Sequence, residues 1–222
     1  SARATSGFDW MFAVVALAIG ATYVRAIWFT PLEAMQGAAQ KIYYIHVPSA
    51  MSAYLALIVA ALMSVVYLWL KDPRADRMAE SATEVAFVFT TAVLTTGPLW
   101  GKPVWGTWWT WDARLSLTLF LWFLTVGYLV LRGAIDDAGM RARYSAVLAV
   151  LAALLIPFIH LSVYLFRTLH PMPIVLKPER PSLPAEMLTT WVSAVVAFLF
   201  FCVVLMRARY RLSLLRESVE AS

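Results

Sequence analysis

The chain has 222 residues, of which 62% are hydrophobic and only 14% charged, against about 25% charged in a soluble globular domain. That deficit excludes an ordinary soluble domain. The net charge of +5 is scattered over short polar segments, which excludes a nucleic-acid-binding stripe and fits charge placed at the ends of membrane spans.

Six segments are apolar enough to cross about 30 Å of hydrocarbon, which takes about 20 helical residues: 8–29, 43–70, 81–100, 115–131, 144–166 and 187–206. Their continuous apolar runs predict helices rather than an alternating barrel. The fold expected is therefore all-α, a polytopic integral membrane protein of about six transmembrane helices, with 1–222 as a single membrane domain. The first span resembles a signal peptide, but Tyr23, Arg25 and Trp28 stand where a small-residue cleavage site would be, so it is expected to remain as a span. Segment 81–100 is rich in threonine and carries Glu84. Segment 115–131 is short enough that its helix should start inside the preceding loop.

The loops between spans are 31–41, 71–80, 101–114, 132–143 and 167–186, the last with five prolines. With six spans both termini share a side. That side carries Arg3, Lys71, Arg74, Arg77, Arg132, Arg141, Arg143, Arg207, Arg209, Arg211 and Arg216, and the other carries Arg25, Lys41, Lys102, Arg114, Arg167, Lys177 and Arg180. Eleven basic residues against seven make the terminal side cytoplasmic and turn loops 31–41, 101–114 and 167–186 outward.

The densest chemical signal is the outward Trp-rich loop 98–114, with Trp100, Trp105, Trp108, Trp109 and Trp111 inside twelve residues. An interfacial aromatic belt accounts for one or two tryptophans per helix end, not five. Gly101, Pro103 and Gly106 are expected to hold the segment irregular, so that it presents a platform for a large planar apolar ligand. His46 and His170 fall on the same outer side, and two neutral imidazoles from separate elements can ligate a heme iron from opposite faces. His160 is expected to be an interior, hydrogen-bonded histidine. Arg114 and Lys41 are placed to meet carboxylates such as heme propionates, or else to snorkel at the interface. Asp112 is expected either to pair with Arg114 or to cap the helix beginning near Leu115. Cys202, the one cysteine, allows no intrachain disulfide. There is no Cys-x-x-Cys-His for covalent heme and no Walker segment for ATP hydrolysis.

The run Trp-Gly-Lys-Pro-Val-Trp-Gly-Thr-Trp-Trp-Thr-Trp-Asp-Ala-Arg from Trp100 to Arg114 resembles the tryptophan-rich (WWD) signature of the heme-handling proteins of cytochrome c maturation. With Ile-Tyr-Tyr-Ile-His46-Val-Pro, Arg-Thr-Leu-His170-Pro and six spans, the resemblance covers nearly the whole chain and is to the CcmC, or heme exporter protein C, family. It implies heme b held at the outer, periplasmic face of the bacterial inner membrane, or the corresponding face of a mitochondrial one. His46 and His170 would be axial ligands, and the Trp loop would cradle the ring. It implies presentation of that heme for covalent loading onto the chaperone CcmE, beside an ABC-type ATPase CcmA, a permease CcmB and a helper subunit CcmD. The family's basic residue five positions before the first histidine is commonly Arg, and here it is Lys41. The reactive groups would belong to heme and chaperone, so the chain is expected to be a scaffold rather than an enzyme. The alternatives are a heme lyase, for which spans and histidines are too few, and a heme-exporting permease, for which the span centres are too apolar.

Overall fold

The computed structural model describes residues 9–220, so Arg3 of the charge comparison and Phe8 of the first span lie outside the described residues. Six helices follow one another: α1 Trp10–Val24, α2 Tyr43–Leu70, α3 Pro73–Trp105, α4 Ala113–Ala134, α5 Ala138–Leu165 and α6 Ala185–Glu220. A π-helical turn, Arg25–Phe29, extends α1, and a 3₁₀ turn, Ala38–Ile42, leads into α2. All six are long and apolar enough to cross a membrane, as the sequence predicts.

The helix starts follow from local chemistry. Asp9, Asp72, Asp112 and Asp137 each stand at an N-cap and accept a backbone N–H of the first turn, from Met11, Arg74, Leu115 and Met140 respectively. A side-chain oxygen there satisfies a donor that the helix itself leaves free. Asp72 is followed by Pro73 at the first helical position, where a missing N–H costs nothing.

Two expected boundaries move. Segment 81–100 lies within a helix of 33 residues, about 50 Å long. Its polar first turns are invisible to a hydropathy window but are held by ion pairs. At its other end α3 runs through Gly101 and Pro103 to Trp105, so the expectation that these residues break the chain is corrected. The irregular stretch begins only at Gly106, whose φ of 76° is the left-handed conformation that glycine adopts without steric cost. Helix α4 starts at Ala113, inside the predicted loop as expected.

The core is built from small residues. Ala53, Ala56 and Ala60 of α2 meet Ala82 and Ala86 of α3 and Ala149 and Ala152 of α5, all buried. Large side chains such as Leu62, Val88, Phe123, Phe158 and Val196 point outward. This inverted arrangement suits lipid: association rests on close packing of helices, because the tails are as apolar as the side chains. Helix α2 is central, packed against α3, α5 and α6.

The two ends of the bundle differ in charge. Every salt bridge among the described residues lies at the end that holds the termini: Arg132 with Asp76 and Glu80, Arg77 with Glu217, Arg209 with Glu84, Arg207 and Arg211 with Asp9, and Arg74 with Asp72. Glu84 is thus an ion-pair partner of α6. At the opposite end the cations have no carboxylate within salt-bridge distance among the described residues.

Candidate functional site

At that opposite end α2, α3 and α4 splay around a cleft, which the loop after α3 and the loop after α5 cover. The space between these walls, counted with the open solvent at the mouth, is about 900 Å³. His46 and His170 both line it, with Trp100, Trp105, Trp108, Trp109 and Arg114. The structure therefore brings together two histidines 124 positions apart in the chain and four of the five tryptophans of the motif.

Two glycines on one face of α3 make the walls possible. A Cβ on Gly97 would meet Cε1 of His46 at 3.4 Å, and a Cβ on Gly101 would meet the Trp105 ring at 3.1 Å. At i and i+4 they lie on the same side of the helix, so one ring from α2 and one from α3 itself approach the backbone closely. Trp100 stands edge-on to His46, with ring centroids 5.8 Å apart. Its indole N–H donates to Gln36 at 2.9 Å, which ties the loop between α1 and α2 to the cleft wall. Trp105 sits 6.4 Å from the ring of His170.

The hydrogen bonds of the two imidazoles fix their tautomers. Nδ1 of His46 lies 2.9 Å from the Thr96 hydroxyl. That hydroxyl has one proton, and it donates it to the carbonyl of Ala92 at 2.7 Å. Thr96 must therefore accept from His46, whose Nδ1 carries the hydrogen and whose Nε2 keeps its lone pair. Nδ1 of His170 lies 2.9 Å from the carbonyl of Pro171, which can only accept, so His170 is in the same form. An imidazole whose Nδ1–H is engaged and whose Nε2 is free is the form that binds a metal. Burial, and next the Arg114 guanidinium, push His170 down to about 4, so it is neutral at physiological pH.

Arg114 supplies the cleft's charge. One guanidinium nitrogen, Nη1, is buried without a hydrogen-bond partner, as is the indole nitrogen of Trp109. No salt bridge joins Arg114 to Asp112, so of the two roles expected for Asp112 the structure shows the cap. Oδ1 of Asp112 accepts from the Leu115 N–H at 2.9 Å, and Oδ2 accepts from the hydroxyls of Thr110 at 3.2 Å and Thr168 at 2.7 Å. Burial pushes this carboxyl up, but those donors and the Leu169 N–H together bring it below the usual carboxylate range. Asp112 stands behind the wall rather than in it.

Three sequence-based expectations are corrected. Lys41 is absent from the lining, and its ammonium donates to the carbonyls of Thr30 at 2.6 Å and Pro31 at 3.1 Å. Trp111 is 78% exposed and touches the site only through Trp109, at a centroid distance of 5.7 Å. His160 is exposed on the outer surface of α5, with only the Tyr164 ring nearby, and is neither interior nor hydrogen-bonded. Sequence reasoning also passed over Tyr54, Thr96, Gly97 and Thr168. The threonine richness of the third span was a visible signal for Thr96; Tyr54 and Thr168 carry no local signature.

Comparison with known proteins shows the family. Residues 2–222 match the family model described as CcmC, heme exporter protein C. The chain is 34% identical over 214 residues to heme exporter protein C of Haemophilus influenzae, covering 95% of this chain and 86% of that protein. It is 38% identical over 212 residues to heme exporter protein C of Bradyrhizobium diazoefficiens, covering 94% and 78%. A cytochrome c biosynthesis ccmC-like mitochondrial protein of Marchantia polymorpha is 34% identical over 164 residues, covering 74% and 67%. A membrane protein of six helices, matched over nearly its whole length, this chain belongs to the heme exporter protein C (CcmC) family.

Proposed function

We propose that the chain binds heme b in the cleft, at the periplasmic face of the bacterial inner membrane, and presents it for covalent loading onto the chaperone CcmE during cytochrome c maturation. The observation that carries this is the pairing of two imidazoles, each with Nε2 free, inside one tryptophan-walled cleft. They are a donor set for the two axial positions of an iron whose other ligands come from a macrocycle. The tryptophan walls provide area and ring faces for such a plane. The unpartnered Nη1 of Arg114 is the group that a heme propionate would satisfy, since a guanidinium left unpaired in a buried site is costly.

Heme when bound would supply both the metal centre and the peripheral groups on which attachment occurs. The chain's part is to hold and orient. His46 is fixed from α2, His170 reaches in from the loop after α5, and Arg114 anchors the acidic edge. Trp108, 56% exposed at the rim, leaves the mouth open to a partner. On this reading the chain is a heme-handling scaffold, not an enzyme. It works beside the ATPase CcmA, the permease CcmB and the helper CcmD, with membrane lipid around it. The test is co-expression with the chaperone and detection of covalent heme on it. Wild type and His160→Ala should load the chaperone, while His46→Ala and His170→Ala should not. Equal loading by all four would sink the proposal.

A further inference from the structure

The two imidazoles are held by unequal means. His46 is buried and lies on α2, the central helix. Its ring is pinned by Thr96, by the bare face of Gly97 and by Trp100. His170 lies in the loop between α5 and α6, and the acceptor for its ring is the carbonyl of the very next residue, Pro171, which moves with it. Two contacts on one carboxylate anchor His170 to the bundle: the Leu169 N–H bonds to Asp112 directly, and a short relay passes through Thr168. The His170 backbone N–H donates to the Thr168 hydroxyl at 3.0 Å, and that hydroxyl donates to Oδ2 of Asp112 at 2.7 Å. Asp112 is in turn fixed as the N-cap of α4.

The geometry points to Thr168 as a positioning residue that latches the His170 loop to the end of the Trp motif, and to His170 as the axial ligand that lets go when heme leaves the cleft. This rests on the heme-binding reading above. Handing over a ring ligated from both faces requires one ligand to withdraw. Withdrawing His46 would mean unpacking a helix from the core. Withdrawing His170 means parting the Thr168 hydroxyl and the Leu169 N–H from one carboxylate and letting a loop swing. The hydroxyl serves as acceptor and donor at once, so valine, which matches threonine in shape, removes the latch without emptying the space. Serine keeps it.

Reduced protein loaded with heme and mixed with carbon monoxide reads ligand withdrawal directly, because a six-coordinate iron takes up the gas only after one imidazole leaves. Thr168→Val should bind carbon monoxide about tenfold faster than wild type, with Thr168→Ser within twofold. Thr168→Val within twofold of wild type, or Thr168→Ser accelerating as much, overturns the assignment. Amide exchange in heme-free protein gives a second readout. Thr168→Val should raise exchange at His170 about tenfold while leaving Leu115, on the same carboxylate, unchanged. Unchanged exchange at His170 overturns the latch. If wild type takes up no heme, the heme-binding reading is what fails, and exchange still decides whether the latch exists.

Discussion

Histidine chemistry at the site depends on which ring nitrogen is free. The Nδ1 proton of His170 faces a carbonyl that can only accept, and that of His46 faces a hydroxyl whose own proton goes to Ala92. Nitrogen-15 spectra of the heme-free protein should therefore show both as Nδ1–H tautomers, and Thr96→Val should release His46 alone to a mixture. The acid range follows from His170. Its pKa is pushed from the ordinary 6.5 down to about 4 by burial, so the docked loop favours the neutral ring. That stabilisation is complete above about pH 6.5. It is lost as pH falls from there toward 4, because the freed ring takes up a proton and the docked ring does not. Heme uptake, followed by absorbance, should therefore be level from pH 8 to 7 and decline between 6 and 4; a decline that begins above pH 7 would contradict the assignment. Arg114→Ala should weaken heme retention about tenfold or more, the scale of a lost charge-assisted hydrogen bond, measured by transfer to an excess of an apoglobin. The candidate site was legible because the chain has only three histidines and crowds five of its ten tryptophans into one short run, and these types imply chemistry. Lys41 was misplaced for a related reason: spacing along a chain says which helix end a cation occupies, not which carbonyls compete for it.

Helix α3 carries the most instructive element. Its threonines bond back to the carbonyls three or four residues earlier, which lets a polar segment run through the bundle without unsatisfied hydroxyls. One of them, Thr96, keeps a lone pair for His46. Two glycines a turn apart receive rings. Gly97→Val should displace the His46 ring and reduce heme uptake, while the fold, judged by circular dichroism and detergent elution, is retained; Gly97→Ala should be milder, since its Cβ would sit 3.4 Å from Cε1. All six helices were legible and α2 was read at its observed limits, but α5 starts at Ala138 and α6 runs on to Glu220, past the predicted 144 and 206, because their polar ends fall outside a hydropathy window. Pro103 and Gly101 misled, because a helix end packed against protein tolerates breakers that an isolated helix does not. His160 misled in the opposite sense. Its polarity implied an interior place, but which face of α5 is interior depends on packing that no local pattern encodes.

Across the molecule, charge divides the bundle into an end of paired ions and an end whose cations make no salt bridge among the described residues, with Arg114 alone of them in the cleft. On the proposed topology the excess of basic residues at the paired end lies in the cytoplasm and the cleft faces outward. Cysteines substituted for Lys102 or Lys177 should react with an impermeant maleimide in intact cells, and those for Lys71 or Arg143 only after lysis; Cys202, buried, gives little background. The reverse pattern would invert the topology and put the cleft on the wrong side for a periplasmic chaperone. The claim on which the rest depends is that one heme sits between His46 and His170. Its most direct test is the absorption spectrum of the detergent-purified protein, oxidised and then reduced with dithionite, beside His170→Ala. The account predicts a low-spin Soret and visible spectrum in wild type that loses its six-coordinate character in the variant; no heme spectrum after heme is supplied, or one identical in the variant, would contradict it.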